Sequence, residues 1–164
     1  MTRLYLSKGF FPRDYFAATV DYIASVQQPD GAIPWYQDAV IDPWDHVESA
    51  MGLTIGNRLD EARQAYVWLR QHQRPDGSWL AAYKDGEVAD GTRAETNYVA
   101  YIATGVWHYY LVSGSTEFLE SMWETVSSAI DFVLGMQGKL GEIYWAVDSV
   151  NGVQEDSLVT GCSS

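Results

Sequence analysis

The chain has 164 residues, 47% of them hydrophobic and 14% aromatic, with a net charge of −12. That length and apolar content give one domain that buries roughly two-thirds of its unfolded surface, which excludes an intrinsically disordered chain. Ten Lys and Arg, scattered and outnumbered by 22 acids, exclude a surface built to neutralise phosphates, so no nucleic-acid partner is expected. The lone Cys162 allows no internal disulfide. No apolar run approaches the ~20 residues of a membrane span, and the opening residues lack the apolar core of a signal peptide, so the expected location is cytoplasmic. His46, His72 and His108 have no ligand spacing, and neither metal nor cofactor is expected.

Periodicity predicts a first helix over 14–28, with Phe16, Val20, Ile23 and Ala24 on its apolar stripe and Pro29-Asp30-Gly31 stopping it. An aromatic loop with Trp35 and Tyr36 follows. The next helix, 43–56, closes on Gly56-Asn57. A third runs from Leu59 or Asp60 to Gln73, broken by Pro75-Asp76-Gly77 and followed by a second aromatic loop with Trp79 and Tyr83. The longest periodic segments are 93–112, with Val99, Ile102, Ala103, Val106 and Tyr110 on one stripe and Gly114 at its end, and 116–137, carrying Phe118, Ile130, Val133 and Leu134. A third loop holds Tyr144 and Trp145. Residues Ser157–Ser164 read as the first half of another helix, so the single domain spanning 1–164 is expected to be truncated at its C-terminus.

The stretch Asp42-Pro43-Trp44-Asp45-His46-Val47-Glu48 carries most of the chemistry. With Val47 as zero and 100° per residue, Ala50, Met51 and Ile55 share one stripe, while Asp45, Glu48, Ser49 and Gly52 share the opposite one. Helix initiation accounts for part of this: Asp42 suits the N-cap, Pro43 the first helical position and Asp45 the N3 position. Glu48, a turn further in, has no capping role. Thr92-Arg93-Ala94-Glu95 also reads as a capping box, yet Glu95 falls in line with the inward Val99 and Ile102. His46 reads as a surface or supporting hydrogen-bonding group.

Gln28-Pro29-Asp30-Gly31 followed by Trp35 matches Gln73-Arg74-Pro75-Asp76-Gly77 followed by Trp79, and Gln137, Gly141 and Trp145 make a looser third copy. Repeats of this length, each holding two helices and no two-residue alternation, predict an all-α array of helical hairpins. The Gln-x-Pro-Asp-Gly-x-Trp copies resemble the repeat of the α/α-toroid superfamilies, in which paired helices form a ring. Two branches share this look: the six-hairpin, glucoamylase-like glycosidases, and the squalene-cyclase and prenyltransferase group with its Gln-x-x-x-Gly-x-Trp motif. The resemblance implies about half of such a ring, with apolar edges that would promote self-association.

Asp42-Pro43-Trp44-Asp45 does not match the Asp-x-Asp-Asp motif of the cyclases, and an Asp-Asp-x-x-Asp motif is absent. Polar residues in the aromatic loops, among them Asp38, Lys84 and Asp90, suit a hydroxyl-rich ligand better than an isoprenoid. Glycoside cleavage builds a positive oxocarbenium-like centre that carboxylates stabilise while one acid protonates the leaving oxygen. The sequence therefore predicts a glycoside hydrolase of inverting type acting on an oligosaccharide. Asp45, Glu48 and Glu95 are its candidate catalytic carboxylates, and Trp35, Tyr36, Trp44, Trp79, Tyr83, Trp145 and Asp156 its candidate substrate contacts. The alternatives are a prenyltransferase or terpene-cyclase-like protein of the same fold, and a binding module in which the acids only cap helices.

Overall fold

The computed structural model describes residues 14–158, and Cys162 lies outside them. Five helices dominate the described residues: α1 (Ala17–Val26), α2 (Pro43–Ile55), α3 (Leu59–His72), α4 (Thr96–Ser113) and α5 (Thr116–Gly135). Helix α2 packs against α1, α3 and α4, and α4 packs in turn against α5. The inner pair α2 and α4 is thus backed by α1, α3 and α5. The core forms where these meet, from Val47, Ala50 and Leu53 on α2, Tyr66, Trp68 and Leu69 on α3, Val99, Ile102 and Val106 on α4, and Phe118 and Met122 on α5. Close approach of α4 requires Gly105, since a Cβ there would lie 2.6 Å from Val47 and 2.9 Å from the Tyr66 ring.

The buried stripes depart from expectation at three positions. Tyr109 is buried where Tyr110 was expected, and Leu134 and Ile55 are exposed. The left-handed residue after α2 is Asn57, at φ 61°, and Gly56 keeps φ −71°. Trp107, Leu111, Trp123 and Leu134 leave an apolar flank on α4 and α5. No helix among the described residues is long and apolar enough to cross a membrane.

The repeat is a hydrogen-bonded clamp, and its register differs from the sequence alignment by one residue at the first copy. Gln27, not Gln28, is the equivalent of Gln73 and Gln137. Gln27 donates from Nε2 to the carbonyls of Gly31 (3.0 Å) and Glu61 on α3 (2.9 Å). Gln73 does the same to Gly77 (2.9 Å) and to Thr125 on α5 (2.9 Å). Gln137 donates to Gly141 (3.0 Å). Each clamp thus ties its own turn shut, and the first two also fasten one outer helix to the next. Gly31 and Gly77 need positive φ (99° and 87°), and each sits directly on the neighbouring helix, so an added Cβ would collide with the Gln64 or Ser128 carbonyl.

The expectation of an all-α chain is corrected: the fold is helix-rich with small sheets. Strands β1 (Ala82–Lys84) and β2 (Glu87–Asp90) form a hairpin across Asp85-Gly86, both at positive φ as a tight primed turn requires. Strands β3 (Arg93–Glu95), β4 (Ala146–Asp148) and β5 (Gly152–Val153) form a three-stranded antiparallel sheet. Strands of two to four residues are too short to show alternation, which is why periodicity missed them. Pairing of β3 with β4 fastens the start of α4 to the loop after α5.

Candidate active site

Helix α2 starts as its sequence requires. Asp42 is the N-cap and its Oδ1 accepts from the Asp45 backbone N–H (2.9 Å), with Pro43 in the first turn. Asp42 does more than cap. It is 3% exposed, and its Oδ2 accepts a hydrogen bond from Trp35 Nε1. The indole of Trp35, 52% exposed, is thereby held over the start of α2. Tyr36 beside it is also exposed.

Asp45, Glu48 and Ser49 project from one face of α2 into an open cleft of about 320 Å³ that Trp35 and Ile23 also line. The acidic stripe expected from helical spacing therefore faces a concavity. Asp45 keeps its proton far above the ordinary carboxylate range, to about 6. Loss of hydration at the cleft is the largest cause, followed by the Asp42 carboxylate and then the charge of Glu48. Glu48 is held differently: its Oε1 accepts from both Trp44 Nε1 (3.0 Å) and the Tyr101 hydroxyl (3.2 Å). Trp44 stacks on Tyr101, ring centroids 4.0 Å apart and planes 5° from parallel, so one face of its indole is covered.

His46 belongs to the fold. It is fully buried, its Nδ1 accepts from the Ile33 N–H (3.1 Å) and its Nε2 lies 2.9 Å from the Ala65 carbonyl. With Nδ1 accepting, the proton sits on Nε2, and both ring nitrogens are satisfied. Burial pushes its pKa down to about 4, so it stays neutral. The surface placement expected from its position beside Asp45 is corrected, because His46 turns to the opposite side of α2.

Glu95 is also corrected. It is not the end of a capping box: Arg93–Glu95 is a strand, Glu95 is the N-cap residue of α4, and the Thr92 hydroxyl bonds Asp90 (2.6 Å). Glu95 is 4% exposed. Its Oε1 receives Arg93 Nε (2.8 Å), its Oε2 receives Trp145 Nε1 (3.2 Å), and the Arg93 guanidinium lies over the Trp145 ring at 5.5 Å. Both oxygens of Glu95 are thus engaged, one by the ion pair with Arg93 and the other by an indole N–H.

The remaining aromatic candidates separate by burial. Trp79, 1% exposed, donates to the Leu69 carbonyl (2.8 Å) in the core. Tyr83 is 4% exposed, set edge-on to Trp68, with its hydroxyl accepting from the Leu80 N–H. Neither offers a surface to a substrate. The clamp register explains the contrast with Trp35: two residues after the clamp glycine stands Ile33 in the first copy and Trp79 in the second, both buried. Trp145 is committed to Arg93 and Glu95. Asp156 lies exposed in a turn that leads to the Tyr144–Leu158 bridge, not at a helix start.

Sequence reasoning passed over Tyr98 and Tyr101. Counted from the N-caps Asp42 and Glu95, they occupy the positions on α4 that Asp45 and Glu48 occupy on α2, a signal that the repeat held in plain view. Tyr98 lies 6.4 Å from Trp44 between rings. Its hydroxyl is pushed up to about 12, first by desolvation, then by the charges of Glu95, Asp42 and Asp45. The two acidic helix starts thus meet around Tyr98. Among the described residues no three His, Cys, Asp or Glu are grouped as a metal ion requires.

No family model matches the chain. Solved structures share its helical-hairpin fold: an α-amylase from Clostridium perfringens (TM-score 0.60, 9% identity, 79% of this chain and 40% of that one) and a cellobiose 2-epimerase from Bacillus thermoamylovorans (TM-score 0.61, 15% identity, 81% and 38%). A D-mannose isomerase is similar to the same degree (TM-score 0.61, 12% identity, 84% and 39%). The fold is that of the α/α-toroid, six-hairpin-glycosidase-like proteins. In sequence the chain is 49% identical over 146 residues to an MMP endo-(1,4)-3-O-methyl-α-D-mannosidase of Mycolicibacterium hassiacum. That match covers 89% of this chain and 40% of the relative's length.

Proposed function

We propose that the chain is the acid-bearing portion of a cytoplasmic glycoside hydrolase that cleaves an oligosaccharide internally, at (1→4) bonds between 3-O-methylated α-mannose units. The single observation that carries the chemistry is Asp45: a carboxyl in an open, Trp-lined cleft, its pKa raised to about 6 by burial and by Asp42 and Glu48. Asp45 is the proton-transferring group, Trp35 the sugar platform, and Glu48 a fixed anion facing substrate hydroxyls. Acid–base cleavage of a glycosidic bond places its two carboxyl groups on opposite sides of the bond. Asp45 and Glu48 share one helix face, so the second carboxylate comes from another part of the ring. The polar cleft gives the isoprenoid reading no support. The substrate follows the similar mannosidase.

The described helices are, in this reading, about half of a ring. Gly31 and Gly77 press on the next outer helix, whereas a Cβ on Gly141 would meet only the chain's own Gln137 side chain, at 3.9 Å. A further outer helix seated on the Gln137–Gly141 clamp and on Trp123 and Leu134 would repeat the earlier contacts; without it, that flank promotes self-association.

The test is Asp45→Asn in the protein at its natural full length, assayed on a 3-O-methylmannose oligosaccharide. Hydrolysis should fall by about 100-fold or more, the typical contribution of a positioned acid or base, with no fall in melting temperature. Undiminished cleavage would overturn the assignment.

A further inference from the structure

Helices α2 and α4 present the same two positions to the same end of the fold, but with different chemistry. Asp45 and Glu48 follow the N-cap Asp42, and Tyr98 and Tyr101 follow the N-cap Glu95 at equal spacing. The second pair is joined directly: the Tyr101 hydroxyl donates to Glu48 Oε1 (3.2 Å) while its ring stacks on Trp44 (4.0 Å, 5°), the other donor to the same oxygen (3.0 Å). We propose that Tyr101 is a positioning residue of the site, which with Trp44 holds the Glu48 carboxylate by one oxygen and leaves Oε2 to accept a sugar hydroxyl. This rests on the glycosidase reading above.

A glutamate on an exposed helix face ordinarily samples several rotamers, and fixing it requires partners that are themselves fixed. Trp44 and Tyr101 meet that need, because their stack ties α2 to α4 and each ring is immobilised by the other. Two donors on one oxygen fix the direction of the carboxylate. Glu48 is therefore an oriented acceptor beside Asp45. The charged and titratable groups around this pair are Asp42 at the N-cap of α2 and Tyr98 and Tyr101 on α4, with Glu95 and Arg93 of β3 acting on Tyr98.

Tyr101→Phe keeps the stacked ring and removes only the donor. In the full-length enzyme we expect kcat/KM to fall about tenfold, the scale of one hydrogen bond to a charged group. The limb of the pH–rate profile that belongs to Asp45 should move to lower pH, because a loosened Glu48 raises the proton affinity of Asp45 less. A role in packing alone would not move that limb. The loss should vanish in a Glu48→Gln background, where Tyr101→Phe has no carboxylate left to release. Unchanged kcat/KM and pH profile in Tyr101→Phe, with Asp45→Asn inactive, would overturn the role of Tyr101 and leave the glycosidase reading intact. Full activity of Asp45→Asn would instead overturn that reading. Were Tyr101→Phe to lose folding, a Trp44→Phe variant, which also keeps a stacking ring and removes one Glu48 donor, must show the same shift of the limb, and its absence would overturn the proposal.

Discussion

Two successive copies of one unit lie side by side in this molecule. Each runs from a Gln clamp through an aromatic loop to an acidic helix start. In the first copy the loop tryptophan, Trp35, is exposed and fastened to the buried Asp42, and Asp45 stands at the cleft with its proton held to about 6. In the second, Trp79 fills the core, and the acid at the helix start, Glu95, is closed off by Arg93 and Trp145. The scaffold is shared, whereas the surroundings of the helix-start acids diverge. An acid at a helix start becomes a candidate for proton transfer when its surroundings oppose its charge, and a structural element when they neutralise it.

The largest effect that bears on this contrast is expected at the two tryptophans. Trp79→Ala should destabilise by about 3–5 kcal/mol, the usual cost of deleting a buried Trp. Trp35→Ala should cost about 1 kcal/mol, mainly its bond to Asp42, while weakening oligosaccharide binding in a calorimetric titration. Equal losses of stability in urea unfolding would erase the distinction. The acids should divide in the same sense. Glu95→Gln should lower stability by about 1–3 kcal/mol through the disrupted Arg93 pair, softened by the Arg93–Asp90 contact at 3.4 Å. Asp45→Asn removes a charge that folding opposes, so it should not lower the urea midpoint at neutral pH.

A finer comparison lies within the clamps. Gly77 and Gly141 share positive φ (87° and 93°), so an Ala side chain strains both backbones alike. Only at Gly77 would the new Cβ strike another helix, at the Ser128 carbonyl. Gly77→Ala should therefore exceed Gly141→Ala by about 1–3 kcal/mol, the usual penalty of overpacking, and equal losses would show that the α3–α5 contact is loose.

The smallest effect is in pH dependence. Asp45 is raised to about 6 from 3.8, so between those values the folded chain binds a proton that the unfolded chain releases, and its contribution to stability is lost as pH rises. His46 is lowered to about 4 from 6.5, so the unfolded chain binds the extra proton there, and its contribution grows as pH rises. The two slopes oppose each other within the first copy. Asp45→Asn removes one of them, and urea unfolding from pH 4.5 to 6.5 should show a steeper gain in stability than the parent chain. An unchanged slope would mean that Asp45 has an ordinary proton affinity.

Helix positions, the start of α2 on Asp42-Pro43, the cleft-facing stripe of Asp45 and Glu48 and the hairpin repeat were legible in the sequence, because they follow from local geometry: turn chemistry, capping and 3.6-residue spacing. Other features depended on distant partners. Glu95 meets Trp145 across 50 positions and Tyr101 meets Glu48 across 53, and no periodicity encodes which donor a carboxylate will find. The one-residue register of the clamp was settled by Gln27 reaching Glu61 on α3, which separated Trp35 from Trp79. The sequence by itself determined where along the chain the five helices lie, though not all their ends, and which acids of α2 share a face. Only the tertiary structure decided which acids face an open cleft, because that depends on the burial and the charged partners supplied by packing α4 and the β3–β4 pair against the rest.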